Sequence, residues 1–238
     1  MELADALGYA QFSDVKRRNP LPKGPGVTST GSTKARVPLA IGERLAIELV
    51  SGLREYPGVF SRVEIAGSVR RRRPDVGDVE VVAQATSNCR PESVRTVLER
   101  LHVRRGEPNK RGAAAPWGER YYRGLASVSE GIEVGVDLFV VLPPAEWGVV
   151  FAIRTGSAEF SQACVTRLHR WGLKSDQGRI LKVETGETLP CPRESLFFRH
   201  ARLPWIPPYL RDMGERAVRF AFSREWEPGE ELRELADP

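Results

Sequence analysis

Two acids stand two residues apart in Gly77-Asp78-Val79-Glu80-Val81-Val82, and Asp78 lies ten residues beyond Ser68 of a Gly67-Ser68 pair. The β-branched run of Val79, Val81 and Val82 predicts a strand, whose period of two sets both carboxylates on one face. Like charges that close repel each other. A cation between them removes the repulsion, and hard oxygen donors suit Mg²⁺ or Mn²⁺ rather than zinc. Upstream, Gly67-Ser68 offers close backbone approach, free amides and a hydroxyl, and Arg70 to Arg73 follow in the same turn. These are what a triphosphate requires of a turn. The chemistry implied is a phosphate cradle beside a metal site.

A third acid, Asp137, lies in an apolar run from Gly131 to Leu142, where Val134, Val136, Leu138 and Val140 alternate onto one face. Asp137 falls on the other face. A buried carboxylate without a partner is costly, and a metal shared with Asp78 and Glu80 would supply one.

The elements that must position these groups follow from periodicity. Ile41, Leu45, Leu49 and Leu53, with Ala46 and Val50, predict a helix from Pro38 that ends by Pro57-Gly58. Residues 62–66 then form a short strand leading into Gly67-Ser68. Val94, Val97, Leu98 and Leu101 trace one face of a helix from Pro91 that covers the sheet. Beyond Pro143-Pro144 a helix runs to Arg154 and stops at Thr155-Gly156-Ser157, where Ser157 caps a second helix carrying Phe160, Cys164, Leu168 and Trp171 along one side. Residues 179–190 read as a hairpin, 192–200 as a helix and 203–211 as a proline-pinned end.

This order resembles the nucleotidyltransferase superfamily, and more narrowly the family X DNA polymerases, the group of DNA polymerase beta. Their palm reads Gly-Ser, an Arg pair, then Gly-Asp-x-Asp with the first acid ten residues beyond the Ser. Thr155-Gly156-Ser157 followed by Phe160 is similar to their nucleotide-selecting segment. The resemblance covers residues 37–212 and implies an α/β (α+β) fold, with a palm of mixed β-sheet and flanking helices followed by a small α+β C-terminal subdomain. The division it implies is an irregular basic arm over 1–36, the palm over 37–143, and a thumb-like subdomain with an acidic tail over 144–238. It also implies transfer of a nucleotide from a nucleoside triphosphate to a DNA 3′-hydroxyl, of gap-filling or repair type, with release of pyrophosphate. Asp78, Glu80 and Asp137 would be the catalytic metal ligands for two Mg²⁺ ions, or Mn²⁺. Gly67, Ser68, Arg71, Gly77, Thr155 and Gly156 would bind the nucleotide, and a DNA primer-template would be the partner of a monomer. Five positions depart from the pattern: Glu80 replaces an Asp, Arg72 stands where Gly is common, Ile153 and Arg154 replace an aromatic pair, and Ser161 replaces an Asn.

Composition is consistent with a globular chain: 41% of the 238 residues are hydrophobic, enough for a sizeable core. The net charge is +5, unevenly spread. Arg62 and Arg70 to Arg73 face one acid in residues 62–73, whereas residues 211–238 hold five Arg against eight acids. A polyanion lying across the middle of the chain fits that asymmetry. Cys89, Cys164 and Cys191 have neither disulfide nor zinc-knuckle spacing, and His102, His169 and His200 lack metal-ligand spacing. With no signal-like or membrane-length apolar run, a cytoplasmic protein away from membranes is expected. Basic residues interleaved with Trp117, Tyr121 and Tyr122 over 104–124 suit either a base-stacking surface or an ordinary strand pair. Two alternatives stay open: the same chemistry on another acceptor (an RNA end, a protein or a small molecule), or a nucleic-acid-binding protein without catalysis.

Overall fold

The structure, a computed structural model, describes residues 36–109 and 111–222. The arm expected over 1–36 lies outside these residues except for Arg36, as does the acidic segment beyond 222. The chain runs β1 (Val37–Pro38), α1 (Leu39–Arg54), β2 (Phe60–Ile65), α2 (Gly67–Arg70), β3 (Asp75–Val76), β4 (Asp78–Ala85), α3 (Pro91–Arg100), β5 (Arg104–Arg105), β6 (Tyr121–Ser129) and β7 (Ile132–Val141). It continues through α4 (Trp147–Thr155), α5 (Ala158–His169), β8 (Leu173–Asp176), β9 (Arg179–Lys182), β10 (Thr188–Leu189), α6 (Glu194–His200), a 3₁₀ turn over Pro208–Met213 and α7 (Glu215–Phe222).

The first half is built on a five-stranded mixed sheet of order β2-β4-β7-β6-β5. Strands β4 and β7 run parallel at its centre, and the other neighbours are antiparallel. Strand alternation divides the side chains of β4 and β7 between two cores. Val79, Val81 and Ala83 of β4 and Val134, Val136, Leu138 and Val140 of β7 pack with Leu45, Leu49 and Leu53 of α1 and Val94, Val97 and Leu98 of α3. On the opposite face Val82, Phe139 and Val141 meet Trp147 and Phe151 of α4. A strand covered on both sides reads as a nearly continuous apolar run, which is why the one buried acid within β7 is informative. Asp137 is 3% exposed.

The second half packs α5, α6 and α7 against a small antiparallel sheet around Phe160, Cys164, Leu168, Ile180, Phe197 and Phe198. Ser157 caps α5 as expected, accepting a hydrogen bond from the Phe160 amide at 3.3 Å. Two expectations change here. The hairpin has a third strand, β8, joined to β9 by a Gln177-Gly178 turn with both φ values positive; its Leu173-Lys174-Ser175-Asp176 sequence has too little apolar character to read as a strand. Trp171 does not continue the buried side of α5, because the helix ends at His169; the ring is 39% exposed, with the Arg202 guanidinium 3.7 Å from its centroid.

A buried ionic knot joins the two halves. Glu194, at the first turn of α6, is fully buried and accepts from Arg70 Nη1 and Nη2 at 2.7 and 2.9 Å, from Arg211 Nη1 at 2.7 Å and from Trp205 Nε1 at 3.0 Å. Arg70 belongs to the turn that follows Gly67-Ser68, so this bond fixes the cradle against α6. Burial alone would raise the Glu194 carboxyl, but Arg211 and Arg70 together hold it down to about 2.

Removing one partner of such a knot leaves an uncompensated buried charge, which costs about 3–5 kcal/mol. Glu194→Gln is therefore expected to lower the urea midpoint sharply, while breaking the exposed Arg219–Glu215 pair by Arg219→Ala should change stability by less than about 1 kcal/mol. Because the folded-state pKa is depressed, the Glu194 contribution is complete above about pH 4.5 and is lost as pH falls toward about 2. Urea melts across that window should show a steeper acid loss in the parent than in Glu194→Gln.

Candidate active site

Asp78 and Glu80 lie on the face of β4 opposite the α1 core, with one residue between them. The parallel register pairs Glu80 directly with Asp137 of β7 and Asp78 with Gly135. Two neighbouring acids and a third far from them in sequence thus share one sheet face. Burial, first, and then the charge of Asp78 push the Glu80 carboxyl up to about 7; Arg71 opposes, Asp137 adds to the rise and Arg154 opposes again. Loss of solvent is the larger cause, and the arginines nearby only partly offset it.

Gly67 shows how closely the turn approaches this acid. Its φ is +58°, a conformation that favours glycine, and a Cβ placed there would lie 1.6 Å from Glu80 Oε2. The next residue carries a buried hydroxyl without a hydrogen-bond partner, Ser68 Oγ. Buried polar atoms are normally satisfied, so an orphan hydroxyl beside a glycine that tolerates no side chain leaves a donor and a close backbone approach that a ligand could use.

The two arginines after Ser68 reach into the second half of the chain. Arg70 Nη1 donates to Thr155 Oγ1 at 2.8 Å in addition to its bonds with Glu194. Arg71 donates from Nη1 to the Thr155 carbonyl at 2.7 Å and from Nε to Asp212 Oδ1 at 2.8 Å. The Gly67-Ser68 turn and the Thr155-Gly156 segment are therefore brought together, with Arg71 as the link rather than as a group held out for a ligand. Gly156 is packed against Phe160 and Ser161, where a Cβ would fall 2.6 Å from Phe160 Cδ1. A Cβ on Gly77 would meet the Arg36 guanidinium, 3.5 Å away, and no other side chain among the described residues within 4 Å. Arg72 adopts φ +60°, the backbone that makes glycine common at this position, and its guanidinium pairs with Glu43.

Asp137 has protein partners that sequence reasoning missed. Arg123 forks onto it, Nε to Oδ1 at 2.9 Å and Nη2 to Oδ2 at 2.7 Å, and the Tyr121 hydroxyl donates to Oδ1 at 3.0 Å. Arg123 and Asp137 are direct cross-strand partners. The signal was present: Tyr121 and Arg123 share the parity of one strand face, and Asp137 required a donor. Glu194 and Asp212 gave no such signal for Arg70 and Arg71, which are over a hundred residues away in sequence. The aromatic residues of 104–124 do not form a base-stacking surface. Tyr122 is 1% exposed and meets Trp117 edge-on, and Tyr121 stacks on Phe139 with centroids 4.9 Å apart.

The donor set suits a divalent cation in kind: three carboxylates on one face, one of them reluctant to ionise, and an unsatisfied hydroxyl on the residue after Gly67. Among the described residues no three His, Cys, Asp or Glu side chains converge in metal-holding geometry. The reason is visible in their partners, since Asp137 is turned to Arg123 and Tyr121 while Glu80 leans over Gly67. No helix among these residues is long and apolar enough to cross a membrane.

Comparison with known proteins adds two findings. Residues 151–212, from within α4 to the 3₁₀ turn, match the DNA polymerase beta thumb family. Over 197 residues, 82% of this chain, the sequence is 28% identical to the DNA polymerase/3′-5′ exonuclease PolX of Bacillus subtilis (strain 168). That match takes in 32% of the relative, so the chain spans about a third of its length. With its mixed sheet ahead of the segment that matches the polymerase beta thumb, this chain is similar to the family X DNA polymerases, the group of DNA polymerase beta.

Proposed function

We propose that this chain is a metal-dependent nucleotidyltransferase that adds nucleotides to a DNA 3′-hydroxyl with release of pyrophosphate, acting as a monomeric gap-filling or repair polymerase in the cytoplasm. Residues 37–143 would serve as its palm and those from 144 onward as its thumb-like subdomain. The observation that carries the reading is the juxtaposition at Gly67: a turn with no room for a Cβ, an orphan Ser68 hydroxyl, and Glu80 immediately opposite. A phosphate cradle and an acidic face meet there at atomic contact. The likeness to PolX and the thumb match support DNA as the acceptor.

In this reading Ser68 and the amides around Gly67 hold the β- and γ-phosphates. Arg71 stands at the same turn and orients it against Thr155 and Asp212, and its charge adds to the cradle. Asp78, Glu80 and Asp137 would hold two Mg²⁺ ions, or Mn²⁺. Bound there, such ions neutralise the triphosphate and lower the pKa of the attacking hydroxyl. Thr155-Gly156 and Gly77 complete the nucleotide pocket, with Gly77 contributing at its margin. Arg154, in place of an aromatic residue, lies with its guanidinium 4.0 Å from the Phe139 ring centroid, so its charge stays beside the acids.

Incubation with labelled dNTPs or NTPs, Mg²⁺ or Mn²⁺, and primed, gapped or blunt DNA should give extension that is best on the gapped substrate. Extension of RNA ends alone would instead favour another acceptor. Asp137→Asn keeps the shape and a partner for Arg123, and is expected to lower turnover at least a thousandfold, about 4 kcal/mol of barrier. Retention of activity within tenfold, with an unchanged melting temperature, would remove Asp137 from the site.

A separate test addresses the cradle. Gly67→Ala forces a Cβ into Glu80 and strains a positive φ, so nucleotide binding measured by calorimetry should weaken at least tenfold. Binding as tight as that of the parent would mean that the triphosphate lies elsewhere.

A further inference from the structure

The three bonds on Asp137 come from groups of unequal rigidity. The Arg123 side chain is 41% exposed, and a guanidinium on a long stem shares its charge with solvent. Tyr121 is half-buried and has only two side-chain torsions. Its ring lies on Phe139 at 4.9 Å with an interplanar angle of 3°, and Phe139 in turn carries the Arg154 guanidinium of α4, 4.0 Å from its centroid. Phe139 thus contacts both Arg154 and Tyr121, and the Tyr121 ring presents a hydroxyl to Oδ1 of Asp137.

Acceptor capacity decides what remains for a ligand. A carboxylate offers about four acceptor positions. Oδ1 takes two donors, Tyr121 Oη and Arg123 Nε, while Oδ2 takes only Arg123 Nη2. The spare position is therefore on Oδ2. Without Tyr121, the Arg123 fork alone would hold the carboxylate, and both oxygens would be equivalent in what they have left.

We propose that Tyr121, stacked on Phe139, is a positioning residue that fixes the Asp137 carboxylate so that Oδ2 alone is offered to a divalent cation, and that Phe139, through Arg154, ties this orientation to the thumb-side helix α4. The inference rests on the nucleotidyltransferase reading of the acidic face. Partners that orient a metal ligand typically contribute ten- to a hundredfold in affinity or activity.

The test combines Mn²⁺ titration followed by electron paramagnetic resonance, which needs no turnover, with steady-state nucleotide incorporation. Tyr121→Phe keeps the ring and its stacking and removes only the hydroxyl. It should weaken Mn²⁺ binding and lower kcat by about tenfold, with KM for the nucleotide within about twofold and the melting temperature unchanged. Phe139→Leu should shift the same two quantities in the same direction, and Phe139→Tyr, which restores a stacking ring, should recover them. If Mn²⁺ binding requires Asp78, as shown by its loss in Asp78→Asn, but Tyr121→Phe matches the parent in both readouts or alters only the melting temperature, the positioning role is overturned and the site reading stands. Mn²⁺ binding in the parent that is indifferent to Asp78→Asn would overturn the site reading and this inference with it.

Discussion

The buried carboxylate of Glu194 is the interaction on which the site depends. Placing a charge at full burial is tolerable only because two guanidinium groups and an indole N–H satisfy it. One of those guanidinium groups, Arg70, lies in the turn that presents Ser68; the other, Arg211, is fully buried in the 3₁₀ turn beyond α6. The knot sets the distance between the sheet and the second half of the chain, and Arg71 repeats the connection through Asp212 and the Thr155 carbonyl. Neighbouring arginines in one basic turn therefore act first as structural ties. Their charge at the cradle is a consequence of where those ties hold them.

A second constraint is the sidedness of the central strands. In β4 and β7 one face must be fully apolar because α1 and α3 cover it. The opposite face changes character along its length, from Val82, Phe139 and Val141 under α4 to Glu80 and Asp137 one pleat earlier. The acids sit at the margin of a hydrophobic core. That position keeps them in register and partly desolvated, which raises the cost of their mutual charge and favours a cation.

Much of this was legible in the sequence because it is local. The period of two in Val79, Val81 and Val82 and in Val134 to Val140 set the acids opposite the apolar face, and the spacing of Leu45, Leu49 and Leu53 set the helix behind it. Gly67 was readable as a close approach, and the structure shows Glu80 to be what it approaches. Pairings between distant segments were not legible. Arg70 and Arg71 look alike in sequence, yet one binds Glu194 and the other Asp212, and nothing near either acid announces its partner. Strand β8 was invisible because its alternation is nearly all polar, and the place of Tyr122 stayed open because interleaved arginines hide which parity faces inward.

The central claim is that the Gly67-Ser68 turn and the face of Asp78, Glu80 and Asp137 form one site for a metal-bound nucleoside triphosphate. The most direct measurement is a crystal structure of the chain with Mn²⁺ and a non-hydrolysable dNTP, using anomalous scattering to locate the metal. The account predicts an anomalous peak bound by Asp78 and Glu80, with the triphosphate accepting a hydrogen bond from Ser68 Oγ. A nucleotide bound away from Ser68, or a metal bound without any of the three acids, would contradict it.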